Sequence, residues 1–225
     1  MQSKNIIVTG ASRGIGYELV KQLSLAGHQV LAISRNSSPL EGLAVHSLPV
    51  DIAQTEQLHE IKSFVDHHWG HVDVLIHNAG KLINKPFKET SVEDFIAVYS
   101  VNVFAVAALT KLLLPNLRSG SHVLTISSMG GIQGSMKFPG LAAYSSSKGA
   151  VITLTELLAE EFKDQKIAFN ALALGAVQTE MLEEAFPGFK APNSPEEMAQ
   201  YIGDFALKAH QFYNGKVLQV SSSTP

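Results

Sequence analysis

Cysteine is absent from all 225 residues, so the chain has neither disulfides nor thiolate chemistry. That absence alone does not fix a compartment. Charge is sparse and nearly balanced: 17 Lys and Arg stand against 20 Asp and Glu, a formal net charge of −3, with no block of one sign. Nothing forms a footprint for a phosphate backbone, and nucleic acid is not an expected partner. The aromatics are 11 Phe, 5 Tyr and 1 Trp, scattered as core residues would be rather than as a stacking platform for bases. Nine histidines, among them His67, His68 and His71, come without cysteine or a matched carboxylate pattern, so no metal site is expected. No signal peptide precedes the first apolar strand at Ile6-Ile7-Val8, which leads to the expectation of a cytoplasmic protein. Long apolar runs are scarce too. The best is Phe95 to Pro115, and Ser100, Asn102, Thr110 and Lys111 interrupt it. A membrane span needs about 20 mostly apolar residues. This run reads as a helix buried on most sides, and no membrane partner is expected.

What is present is globular: 45% hydrophobic and 16% charged residues. The length fits one domain, residues 1–225. Short apolar strands are expected at 4–9, 28–34, 44–49, 73–77, 122–127, 167–172 and 216–220. Helical spacing marks 14–26, 54–69, a long helix from Thr90 to about 116, 142–163, and a last one from Pro195 to about 209. Thr90-Ser-Val-Glu93 and Ser194-Pro195-Glu196-Glu197 both have capping-box form. The tail Ser-Ser-Ser-Thr-Pro is expected to fray. Strand–helix alternation of this kind implies a parallel sheet with helices on both faces.

The first strand ends in Thr9-Gly10-Ala11-Ser12-Arg13-Gly14-Ile15-Gly16, and a helix follows. A chain that turns sharply there and approaches a pyrophosphate needs glycine. The helix start adds free N–H groups and a positive dipole end. Further on, Asn78-Ala79-Gly80 ends the fourth strand and Ser127-Ser128 closes the fifth. Tyr144 and Lys148 then lie four apart, on one face of a helix. An ammonium beside a phenol favours the phenolate, which makes tyrosine a workable proton donor or acceptor. A serine hydroxyl can hold a carbonyl oxygen as negative charge develops on it.

Together these motifs resemble the short-chain dehydrogenase/reductase family, and its 3-oxoacyl-carrier-protein reductases in particular. The resemblance spans nearly the whole chain. It implies a three-layer, doubly wound Rossmann fold of α/β class, with a mostly parallel seven-stranded sheet. It implies an enzyme that reversibly interconverts a carbonyl and an alcohol with a nicotinamide cofactor. Its pattern carries the catalytic roles to Asn102, Ser128, Tyr144 and Lys148. Ser128 is favoured over Ser127 because Met129-Gly130-Gly131 follows it, and Ser127 is read as turned into the sheet. Ser128 and Tyr144 lie sixteen residues apart, longer than usual for the family, so a small insertion in 132–143 is expected beside the substrate. The cofactor would lie against Gly10, Ser12, Arg13, Gly14, Ile15, Gly16, Asn78, Ala79, Gly80, Tyr144 and Lys148. Val177 and Thr179 would close over the nicotinamide, although Leu174 stands where the family usually has proline.

No acid ends the second strand. Arg35 stands there, and Arg13 is within the glycine loop. Two arginines and no carboxylate favour the 2′-phosphate of NADP(H). Asp51 and Ile52 follow the third strand; Asp51 either contacts the adenine or serves only as a helix-start carboxylate. The stretch from Arg35 to Asp51 is too short for the usual helix and is expected to be a turn. Residues 180–194 are read as a mobile substrate lid. A homodimer or homotetramer through the helices at 90–116 and 142–163 is expected. The rival reading is a non-catalytic NADPH sensor or scaffold. Such a protein has no use for Ser128, Tyr144 and Lys148 together.

Overall fold

The computed structural model describes residues 2–221; residues 222–225, most of the tail expected to fray, lie outside them. Seven strands form one sheet in the order β3-β2-β1-β4-β5-β6-β7. They are β1 Asn5–Thr9, β2 Gln29–Ser34, β3 His46–Pro49, β4 Val72–His77, β5 Leu117–Ser128, β6 Ala168–Leu174 and β7 Val217–Val220. Every pairing is parallel, so the sheet is wholly rather than mostly parallel. A strand covered on both faces is apolar throughout. In β1, Ile6 and Val8 enter one core while Ile7 enters the other. The first core packs under α1 (Gly14–Leu25) and α7 (Pro195–Lys208). The second lies under α2 (Leu58–His68), α4 (Ala105–Leu113) and the end of α5 (Ala142–Glu161).

The sheet order reverses between β1 and β4. Ligands of open parallel sheets bind at such a switch point, outside the carboxyl ends of the strands. The glycine loop, Ser34, Asp51, Asn78, Ser128 and Leu174 all fall along that edge. Between β2 and β3 there is only a short 3-10 turn, Ser38–Leu40, in place of a helix.

Three expectations need correction. The long helix begins one residue later than its capping signal suggested: Ser91 is the N-cap, and Asp94 returns the reciprocal bond. The helix is also not uniform. α3 (Val92–Tyr99) leads into a π-helical turn, Ser100–Phe104, and then into α4. Nor is it buried on most sides. Val98, Asn102, Val106 and Leu109 face inward, but Val92, Ile96 and Phe104 are each more than half exposed. The stretch Val92–Asn116 is long and apolar enough by composition to cross a membrane.

Candidate active site

The glycine loop is built by close approach of backbone. Gly10 has φ +71°, and a Cβ there would lie 2.7 Å from the Ala79 Cα. A Cβ on Gly16 would fall 2.1 Å from the Gly10 carbonyl oxygen. Neither position can accept a side chain. Thr9 is buried at the strand end, and its hydroxyl accepts hydrogen bonds from the amides of Asn78 (3.2 Å) and Ala79 (3.1 Å). Asn78 in turn donates its amide to the carbonyls of Thr9 and Gly10, at 3.0 and 3.1 Å. Its side chain therefore locks the loop from behind. Arg13 is the N-cap of α1, and no side chain caps the helix. The first-turn N–H groups of a twelve-residue helix thus open onto the loop, a good fit to the phosphates of a dinucleotide. Ser12, Arg13 and Gly14 line a cleft of about 700 Å³ with Tyr17, Gln178 and Thr179. Ile15 packs against the core from the first turn of the helix.

At the adenine end, Ser34 is buried and its hydroxyl donates to the Asn36 carbonyl at 2.8 Å. Arg35 is exposed. Asp51 accepts from the Ala53 amide at 3.0 Å in a local turn, and Ile52 is buried beside it. This is a local turn and not a helix cap: Gln54 precedes the 3-10 turn Thr55–Gln57 and Gln57 precedes α2, so the helix-start reading of Asp51 is not met.

β5 and α5 bring the reactive side chains together. Ser128 ends the strand and its Oγ accepts from the Gly130 amide at 3.2 Å. The Tyr144 phenol, on the first turn of α5, shares a hydrogen bond with Ser128. Ser127 points the other way: it is buried and donates to the Lys148 carbonyl at 2.9 Å. Lys148 lies one turn beyond Tyr144, buried, with Nζ 2.7 Å from the Ile126 carbonyl and 5.7 Å from the centre of the Tyr144 ring. Burial lowers its ammonium to about 8.

The tyrosine does not behave as the motif alone suggests. Burial raises its pKa, and the Ser128 hydrogen bond only partly opposes that. Desolvation of the phenolate outweighs the help expected from Lys148, whose ammonium is turned toward a backbone carbonyl. Tyr144 is therefore held in its protonated form at neutral pH.

Asn102 occupies the π turn, a local widening that recurs at functional sites. This explains an asparagine within an apolar helix. Its Oδ1 accepts from the Lys81 amide at 2.7 Å. Its Nδ2 donates to the Lys81 carbonyl and to the Ser147 hydroxyl, at 3.0 and 2.9 Å. Ser147 donates to the Tyr144 carbonyl at 2.6 Å, so it joins the π turn to the helix that carries the phenol. A Cβ on Gly80 would lie 3.7 Å from Lys148 Nζ and 3.8 Å from Asn102 Oδ1. Lys148 and Asn102 thus face one space, which glycine leaves open. Ser147 carries no sequence signal, being one of three consecutive serines.

Residues 180–194, expected to be a lid over the substrate, begin in a helix and are joined at their ends. Their start forms α6 (Glu180–Ala185), capped by the Thr179 hydroxyl, which accepts from the Leu182 amide at 3.3 Å. Val177 is buried and forms a parallel bridge with Asn193, so the two ends of the lid are zipped together. Leu174 is buried and the chain turns at Gly175, whose amide bonds the Val220 carbonyl. The segment Asn84-Lys85 joins residues 180–194 to the loop 132–141. Asn84 donates to the Ala185 carbonyl at 2.8 Å, while Lys85 bonds the Gly140 carbonyl at 2.9 Å.

Comparison with known proteins agrees with this geometry. The sequence profile of the family described as short chain dehydrogenase matches residues 4–188. The gluconate 5-dehydrogenase of Gluconobacter oxydans is 31% identical, over 95% of this chain and 91% of its own. The structure of a 3-ketoacyl-(acyl-carrier-protein) reductase from Brucella melitensis, complexed with NADH, superposes with a TM-score of 0.84 at 25% identity, covering 97% of each chain. A short chain dehydrogenase from Burkholderia cenocepacia, in complex with NADP, shares the fold with a TM-score of 0.87 at 22% identity, covering 99% of this chain and 98% of that one. The chain belongs to the short-chain dehydrogenase family of oxidoreductases.

Proposed function

We propose that this oxidoreductase is an NADPH-preferring enzyme that reversibly reduces a carbonyl to an alcohol. One observation carries the reading: the hydroxyls of Ser128 and Tyr144 meet above the switch point, with Lys148 one turn below the phenol. A bound nicotinamide supplies the hydride. Ser128 and Tyr144 hold the substrate carbonyl oxygen, and Tyr144 gives it a proton as negative charge develops there. The buried phenol is protonated at neutral pH, the form from which a proton donor starts. Lys148 binds the ribose hydroxyls, and Asn102 with water returns the proton through the space above Gly80. The uncapped start of α1 receives the pyrophosphate, with Gly10, Ser12, Gly14, Ile15 and Gly16 shaping the approach. Ala79 and Gly80 pass under the ribose, and Asp51 and Ile52 flank the adenine. Val177 and Thr179 close over the carboxamide.

The preference for NADPH rests on Arg13 and the exposed Arg35, with no acid at the end of β2. Relatives with NADH and with NADP are both known, so this preference is a property of these residues rather than of the fold. The exposed apolar face of Val92, Ile96, Phe104 and Leu157 supports self-association through the two long helices.

The test is oxidation of NADPH against a panel of β-ketoacyl thioesters, diketones and aromatic aldehydes, with NADH as comparator. Turnover favouring NADPH on at least one carbonyl is expected. NADPH binding with no turnover on any of them would support the sensor reading instead. Preference for NADH would show that the two arginines do not read the 2′-phosphate.

A further inference from the structure

Arg13 has a partner within the chain. Its guanidinium forms a fork with the carboxylate of Glu184, at 2.5 and 3.3 Å. Glu184 sits in the last turn of α6, beside Ala185, whose carbonyl takes the Asn84 hydrogen bond. That second tether, and the Thr179 cap at the other end of the helix, hold Glu184 opposite the glycine loop. Arg13 is also the one cation among the described residues lining the 700 Å³ cleft, where Glu18, Glu180, Glu183 and Glu196 supply four carboxylates. A carboxylate on a planar guanidinium makes the same paired hydrogen bonds that a phosphate makes.

From this we infer that Glu184 is a cofactor-specificity residue: an internal stand-in for the 2′-phosphate that competes with NADPH for Arg13. The inference rests on the proposed role of Arg13 in NADPH binding. NADPH has to displace Glu184 to reach Arg13, whereas NADH, which lacks the 2′-phosphate, leaves the pair in place. Glu184 therefore narrows the preference for NADPH below what Arg13 and Arg35 alone would give. It also links the identity of the cofactor to the hold that the lid has on the glycine loop.

The experiment is a double-mutant cycle on Arg13 and Glu184, with dissociation constants for NADPH and NADH measured by titration. Glu184→Gln is expected to tighten NADPH binding about three- to fivefold, the range that an exposed ion pair supports, and to leave NADH unchanged. In an Arg13→Ala background the same substitution should have no effect on either cofactor. Tightening of NADPH that persists without Arg13, or equal tightening of both cofactors, would mean that Glu184 acts only as a nearby negative charge, and would overturn the inference. No change in the single variant would overturn it as well. The underlying reading fails separately: there, Arg13→Ala alone would weaken NADPH no more than NADH. Both side chains are about half exposed, so neither substitution threatens the fold.

Discussion

The glycine loop and the segment 180–194 face each other across one cleft, and they are held by different mixtures of contacts. The loop is fixed by backbone at distances no side chain fits, with Gly10 against Ala79 and Gly16 against Gly10. The segment 180–194 is closed at its ends by the backbone bridge of Val177 and Asn193 and held in between by side chains: Arg13 to Glu184, Asn84 to Ala185, and Gln178 to Ala191. The first kind of contact is all-or-nothing. The second tolerates substitution and shifts binding by small factors. On the proposed function, rigid phosphate recognition and adjustable substrate access would sit side by side.

The sharpest way to break this contrast is Gly16→Ala. Its Cβ has no room against the Gly10 carbonyl and the Asn78 amide nitrogen, at 2.1 and 2.6 Å. Overpacking of this kind costs about 1–3 kcal/mol or more. Loss of cofactor binding by at least about a hundredfold is expected in a titration, with the melting temperature lowered. A variant that binds normally would show the loop to be as adaptable as the lid.

Acid should separate the sheet from the lid. His77 and His122 are buried neutral, and burial lowers them to about 3 and about 4. His77 is bonded to Thr110, and His122 lies between Asn170 and the Ala206 carbonyl. The folded chain therefore binds fewer protons than the unfolded chain below their ordinary value near 6.5. Stability is full above that pH and falls as pH drops toward 4. Between pH 7 and pH 5 the pair should cost up to about 4 kcal/mol, read as a lower urea midpoint. A midpoint unchanged over that range would contradict the buried, neutral assignment. The lid holds no histidine and contributes nothing to this loss.

Smallest of all should be Asn84→Ala. It removes one exposed tether from Ala185. A rise in KM for the carbonyl of about two- to fivefold is expected, with cofactor affinity unchanged, since such an exposed bond contributes about 0.5–1 kcal/mol. A fall in kcat equal to that of a Tyr144 variant would instead place Asn84 among the groups that touch the reacting atoms.

The same contrast governs what was legible in the sequence. The strand–glycine–helix passage, Tyr144 with Lys148, and the Ser194 cap were all readable because each is a local pattern with a local cause. The cap at Ser91 was off by one because Thr90 and Ser91 both have an acid three residues on. The first residues of β5 were missed because Arg118-Ser-Gly-Ser121 is polar and has no strand alternation; Leu117 pairs with Val72 before the register shifts. The π turn has no signal beyond an asparagine in apolar surroundings. Tyr144 was misjudged electrostatically because burial is a property of the whole fold, not of a four-residue spacing. Glu184 could not be found at all, since its partner lies 171 residues away.

The central claim is that Tyr144 delivers the proton. It is tested most directly by comparing wild type with Tyr144→Phe on the best carbonyl of the panel, with NADPH affinity measured on the same samples. The account predicts unchanged NADPH affinity and turnover reduced about 10²- to 10⁴-fold. Turnover within a few-fold of wild type, with the cofactor still bound, would contradict it.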